Sequence, residues 1–233
     1  MTTNYDKIKT RIAALIAKAK GTDNEHEAAA FIAKAEELLE QYQIDAAELG
    51  DDGDVVRQHN GLFADGKQVK TWHLAVYRQL GLYYGCKSIR VDTHLGPRQE
   101  LVGRESAIVT TDLMFAFIKD ECNRLGNELR RAGGASNRDN GARLVGNALA
   151  LRIAKLIRKR DALNANAPTT QAAKNSLLVL DQVTALYEQL YPDRRKLAGR
   201  TLNTSASARD LASTIGLSRE VHSGSAALQI GGR

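Results

Sequence analysis

The cations of the second half of the chain have the spacing of a phosphate-tracking surface. Arg130, Arg131, Arg138 and Arg143 flank a glycine break at Gly133-Gly134. Arg152, Lys155 and Lys159 follow at i, i+3 and i+7, one stripe of a helix, with Arg158 and Arg160 beside it. Arg194, Arg195, Lys196 and Arg200 form a second cluster. Lys and Arg at helical spacing share a face and can follow a nucleic-acid backbone, each neutralised phosphate steepening the salt dependence. The competing reading is a solvated helix face. Aromatic partners for unpaired bases are sparse: Tyr187 and Tyr191 are the nearest, which weighs against single strands. No helix-turn-helix or zinc-finger pattern supplies a base-reading element, so the expected binding is not sequence-specific.

Other chemistries find less support. A zinc peptidase needs two imidazoles at i and i+4 on one helix face, with a glutamate to activate water. Glu25-His26-Glu27 has no second histidine at that spacing, and the histidines at 26, 59, 73, 94 and 222 are scattered. His26 then reads as a first-turn surface or capping residue, and His73 as a helix-start residue. A zinc site could come together only in space, from His73, His94, Cys86 and Cys122. A hydrolase would have to draw on Glu25, His26, His73 or Glu105. Cys122 falls inside a helical stretch and reads as a small buried hydrophobe, whereas Cys86, at a strand start among charged residues, is better placed for a reactive thiol. His222-Ser223-Gly224-Ser225 is not a nucleophile elbow, and no Gly-Lys-Ser/Thr follows Gly133-Gly134. Asp51-Asp52-Gly53-Asp54 lacks the spaced ligands and closing glutamate of a calcium loop. No catalytic residue, cofactor or metal is expected.

The elements that must position these residues are mostly helical. Residues 5–20 place Ile8, Ile12, Leu15, Ile16 and Ala19 on one stripe, and residues 25–42 place Ala28, Phe31, Ile32, Ala35, Leu38, Leu39 and Tyr42 on another. Gly21 ends the first helix and Asp23 or Asn24 caps the second, which predicts a helical hairpin. Residues 72–84 read as a helix with Val76, Leu80 and Tyr83 toward the core. Alternation predicts strands at 86–91 and 98–103 around a turn at 93–97, with a third strand if 55–64 joins them. Long helices are expected over 105–131, 142–163 and 171–191, and a short one over 207–215. Residues 132–140 read as an exposed break between helices.

Composition agrees with that outline. The 233 residues are 43% hydrophobic and 26% charged, ordinary values for a globular chain. Three prolines and 5% aromatics suit a helix-rich protein. Two distant cysteines point to a reducing compartment, and no apolar run approaches the roughly 20 residues of a membrane span, so a cytoplasmic protein is expected. Net charge is +6. Residues 1–57 carry 7 Lys and Arg against 12 Asp and Glu, and the remainder 26 against 15. Such a split suggests an acidic part facing protein and a basic part facing a polyanion.

Lys7-Ile8, Ile12, Leu15-Ile16-Ala17-Lys18-Ala19, then Asn24-Glu25-His26-Glu27-Ala28-Ala29-Ala30, then Ala33 to Leu39 and Tyr42-Gln43-Ile44 resemble the short N-terminal domain DUF2786. That family has no established function or catalytic residues, and the resemblance implies a bacteriophage or prophage setting. Trp72 to Gly85, Leu101-Val102-Gly103-Arg104-Glu105 and the Gly216 tail look like the second domain that follows it in phage proteins. The expected fold is mostly helical α+β: an N-terminal helical hairpin (1–50), a linker (51–66), and a basic domain (67–233) with a small antiparallel sheet, a bundle of long helices and a flexible C-terminal tail. The expected function is non-enzymatic, non-sequence-specific nucleic-acid binding. The alternative is a protein-interaction module that inhibits or retargets a host factor through the hairpin and the Trp72 helix. Self-association is compatible with either.

Overall fold

The computed structural model describes residues 56–62, 69–94, 96–165, 171–194, 201–215 and 217, with scattered positions between 10 and 38. In chain order its elements are β1 (Val56–Leu62), α1 (Thr71–Tyr83), β2 (Lys87–Thr93), β3 (Gly96–Arg104), α2 (Glu105–Arg131), α3 (Arg138–Ala165), α4 (Gln171–Leu190) and α5 (Ala206–Ser213). The mostly helical α+β class is as expected. Two compact units divide the chain, Met1–Ile44 with Thr214–Arg233, and Asp45–Ser213.

In the first unit the described positions from 10 to 18 and from 27 to 38 are helical. Ile12 and Ala35, one from each expected apolar stripe, are buried. Lys18 Nζ sits 5.8 Å from the centroid of the Phe31 ring, which ties the two helical stretches together.

The second unit is built around α3. Residues 145–150 of this helix are buried on every side, because α1, α2 and α5 all pack against it. Close approach depends on glycine. A Cβ on Gly141 would lie 2.1 Å from the Gly126 carbonyl oxygen, and one on Gly146 would lie 2.3 Å from the Trp72 ring. Gly141 therefore sets the α2–α3 crossing, and Gly146 makes room for α1. At the far side, Asn147 Nδ2 donates to the Asn203 carbonyl (2.8 Å) and Thr204 Oγ1 to the Leu144 carbonyl (3.0 Å), fixing the approach to α5.

The turn between α2 and α3 is the exposed break the composition suggests, and it is also a structured cap. Gly133, at φ 75°, takes the left-handed position. Its N–H bonds to the Arg130 carbonyl (3.0 Å) and the Gly134 N–H to the Leu129 carbonyl (2.8 Å), the two bonds of a Schellman motif. Asn137 then caps α3, its Oδ1 accepting from the Asn140 N–H at 2.8 Å. That cap starts α3 at Arg138, four residues before the apolar periodicity begins at 142.

The sheet is antiparallel in the order β1-β3-β2. β1 falls inside the stretch expected to be a linker and pairs with β3 from Val56↔Arg104 to Leu62↔Gln99, with a register shift between His59 and Leu62. Side chains alternate along β3. Leu101 faces α1, where Gly81 has no Cβ to obstruct it, and Glu100 points to the opposite face, which α4 covers.

Candidate nucleic-acid interface

The sequence-predicted cations fall into three groups. On α3, Leu151, Lys155, Arg158, Lys159 and Ala162 are all exposed and lie at i, i+4, i+7, i+8 and i+11, one stripe beyond the buried middle of the helix. Among the described residues no carboxylate pairs with Lys155, Arg158 or Lys159. Arg130, Arg131 and Arg138 are exposed at the α2–α3 turn. Arg138 and Lys155 are separated by about 25 Å of helix at 1.5 Å per residue, so the cations form two patches rather than one continuous surface.

The third group is committed to the fold. Arg152 is half-buried and its Nη1 donates to the Ala212 carbonyl at 2.8 Å, at the end of α5. Arg160 Nη1 does the same for the Tyr83 carbonyl (2.8 Å) at the end of α1. Both place a cation where helix carbonyls lack partners and the dipole is negative. Arg143 Nη2 donates to Asn140 Oδ1 at 2.5 Å. The stripe of Arg152, Lys155 and Lys159 thus loses its first member to structure and gains Arg158. Arg194 pairs with Glu188 at 3.0 Å and lies 5.1 Å from the Tyr187 ring centroid. Arg195, Lys196 and Arg200 lie outside the described residues.

Residues weighed for other chemistry are drawn apart. Cys86 is buried with its Sγ against Gly103, which removes the exposure a reactive thiol needs. Cys122 is buried in α2, and burial, with Glu121 nearby, pushes its thiol pKa far up. His73 is wedged edge-on between Trp72 and Phe115, and burial with Lys70 and Lys119 nearby lowers its pKa to about 4. Glu105 pairs with Arg57 at 3.0 Å. Among the described residues no three His, Cys, Asp or Glu side chains gather as metal ligands, so His73, His94, Cys86 and Cys122 do not form the weighed zinc site. Glu25, His26 and His222 lie outside the described residues. Trp72, considered as a protein contact, is 1% exposed, and only Thr71 and Arg78 of α1 are exposed.

The N-terminal unit carries the family signal. The family model for DUF2786, a protein of unknown function, spans residues 7–46. The chain contains a DUF2786 segment. No curated protein and no solved structure matches the chain. The DUF2786 segment is close to neutral, with 6 Lys and Arg against 7 Asp and Glu. Met1–Ile44 with Thr214–Arg233 hold 8 of each sign, and Asp45–Ser213 hold 25 cations against 19 acids. The charge split of the sequence therefore comes from Asp45, Glu48, Asp51, Asp52 and Asp54, just after Ile44, and not from the hairpin. Among the described residues no helix is long and apolar enough to cross a membrane.

Two polar clusters escaped sequence reading, and both hold β1. His59 Nε2 lies 3.0 Å from Asp112 Oδ2, while the buried Tyr77 hydroxyl donates to Asp112 Oδ1 at 2.6 Å. A side chain on Gly61 would collide with that hydroxyl. Burial, then the Asp112 charge and hydrogen bond, raise the Tyr77 pKa well above the phenol range. On the other face, Gln58 Nε2 donates to Glu100 Oε2 and to Tyr191 Oη (both 2.9 Å), the Tyr191 hydroxyl donates to Glu100, and Arg98 ion-pairs with it. Glu100 is 1% exposed. Apart from Arg98 and Glu100, these partners are 35 to 133 residues apart in sequence, which no local pattern encodes.

Proposed function

We propose that this DUF2786-containing protein is a non-enzymatic accessory protein that binds nucleic acid without sequence preference, by phosphate contacts from Lys155, Arg158 and Lys159. The observation that carries the reading is that these three cations share an exposed stripe and meet no carboxylate among the described residues. A helix face that only needed solubility would interleave both signs. Arg130, Arg131 and Arg138 supply a second contact at the other end of α3. A host cytoplasm during phage infection, the setting implied by the DUF2786 resemblance, belongs to the same proposal.

Gel shift with mixed-sequence duplex and single-stranded DNA across a salt series tests it. Log Kd should change linearly with log salt, and replacing Lys155, Arg158 and Lys159 together by Gln should flatten the slope by about 2.7, at 0.9 per phosphate contact. Absence of any shift at about 50 mM salt rejects the proposal, since electrostatic binding is strongest at low salt.

A further inference from the structure

The end of α4 carries an arrangement that the α3 stripe does not use. Tyr187 and Tyr191, one turn apart, have ring centroids 5.4 Å apart at an interplanar angle of 52°. Tyr191 is fixed from behind: its hydroxyl meets the buried Glu100 and accepts from Gln58 at 2.9 Å. Its ring therefore has a set position and tilt before any ligand arrives. Arg194 lies over Tyr187 with Cζ 5.1 Å from the ring centroid, its Nη1 donating to the Tyr191 carbonyl at 3.2 Å and its Nη2 to Glu188 at 3.0 Å. Both rings are half-buried and keep an open portion. Arg78, exposed on α1, adds positive field at Tyr187, opposing the burial that raises that phenol's pKa. Among the described side chains of α4, Val183 is buried, whereas Leu180 and Leu190 remain 44% and 38% exposed.

We infer that Tyr187 and Tyr191, with Arg194, form a stacking platform for unpaired nucleobases, so that the nucleic acid taken is single-stranded. This rests on the nucleic-acid reading above and specifies its ligand. A planar guanidinium already lies where a base would stack, held by an ion pair exposed to water, which is a weak tie. An incoming base takes its place on Tyr187, and the released Arg194 meets the adjoining phosphate. Every base has a π-face, so this mode is tolerant of sequence.

Anisotropy titration with labelled oligothymidylate and with a mixed-sequence duplex, at one salt concentration, tests the platform. Tyr187→Leu should weaken oligothymidylate binding by about tenfold, within the range for loss of one stacked base, and leave duplex binding unchanged, while Tyr187→Phe binds like the parent. A 5-iodouracil strand irradiated with the unaltered protein should cross-link at Tyr187 or Tyr191, a readout that needs no variant to fold. Oligothymidylate binding that is indifferent to Tyr187→Leu, or cross-links confined to other residues, overturns the platform. Duplex binding that still depends on Lys155, Arg158 and Lys159 would then leave the wider reading standing. Failure of the unaltered protein to bind either strand form removes both.

Discussion

A methyl group added at Gly126 has no space to occupy. Its carbon would lie 2.2 Å from the Ala142 nitrogen and 2.6 Å from the Ala142 Cα. Both are backbone atoms of α3, so no rotamer change relieves the clash. Reaching an ordinary contact of 3.4 Å requires α2 and α3 to part by about 1.2 Å. That separation loosens the buried residues either side, Cys122 and Leu129 on α2 and Val145 and Leu149 on α3. Overpacking of this kind costs about 1–3 kcal/mol, and lost contact along the crossing adds to it, while Gly→Ala in a helix returns about 1 kcal/mol. The net expectation for Gly126→Ala is a loss of about 2 kcal/mol, which lowers Tm by roughly 4–8 °C for a chain of this size. Thermal and urea unfolding followed by circular dichroism measures it. Gly133→Ala is the comparison: its Cβ meets nothing within 4 Å, but φ is 75°, so the cost is left-handed strain of about 1 kcal/mol. A Gly126→Ala protein as stable as the parent refutes the packed crossing.

The His73 imidazole titrates at about 4 in the fold against 6.5 in the unfolded chain. Between those values the unfolded state holds a proton that the folded state does not, so this contribution to stability is complete above pH 6.5 and is lost as pH falls toward 4. His73→Gln should therefore show a shallower fall in Tm over that interval than the parent, and parallel Tm–pH curves would exclude the effect. Tyr191→Phe removes a hydroxyl from the buried Glu100 carboxylate and is expected to cost about 1–2 kcal/mol in urea unfolding. Glu100→Gln should then cost less in the Tyr191→Phe background than alone, and additive losses would show that the two groups are not coupled.

Legibility in the sequence follows the range of the interactions. α1, α2, α4 and the β2–β3 hairpin are local, and the periodicity of Val76, Leu80 and Tyr83, or the alternation after Cys86, places them within a few residues. The start of α3 is set by Asn137, a cap that precedes the apolar pattern, so periodicity alone misses it. β1 is legible only as a conditional third strand over 55–64, because it has few apolar residues and exists through β3, more than thirty residues later. The cations are legible as a group but not one by one. Arg152 and Arg158 look alike in a helical stripe, yet one caps a distant helix and the other faces water. That difference depends on where the end of α5 falls, which only the tertiary fold decides.

β1 also shows how a strand can be registered without grease. Arg57 and His59 find Glu105 and Asp112 among the helices, and Gln58 between them finds Glu100 and Tyr191 beneath α4. Because side chains alternate, a slip of one residue would send each of them to the other's partners. In a strand held by leucines such a slip trades one apolar contact for another. Here every polar match fails together, so the charges act as an address, and a one-residue deletion inside 56–59 misdirects the whole strand.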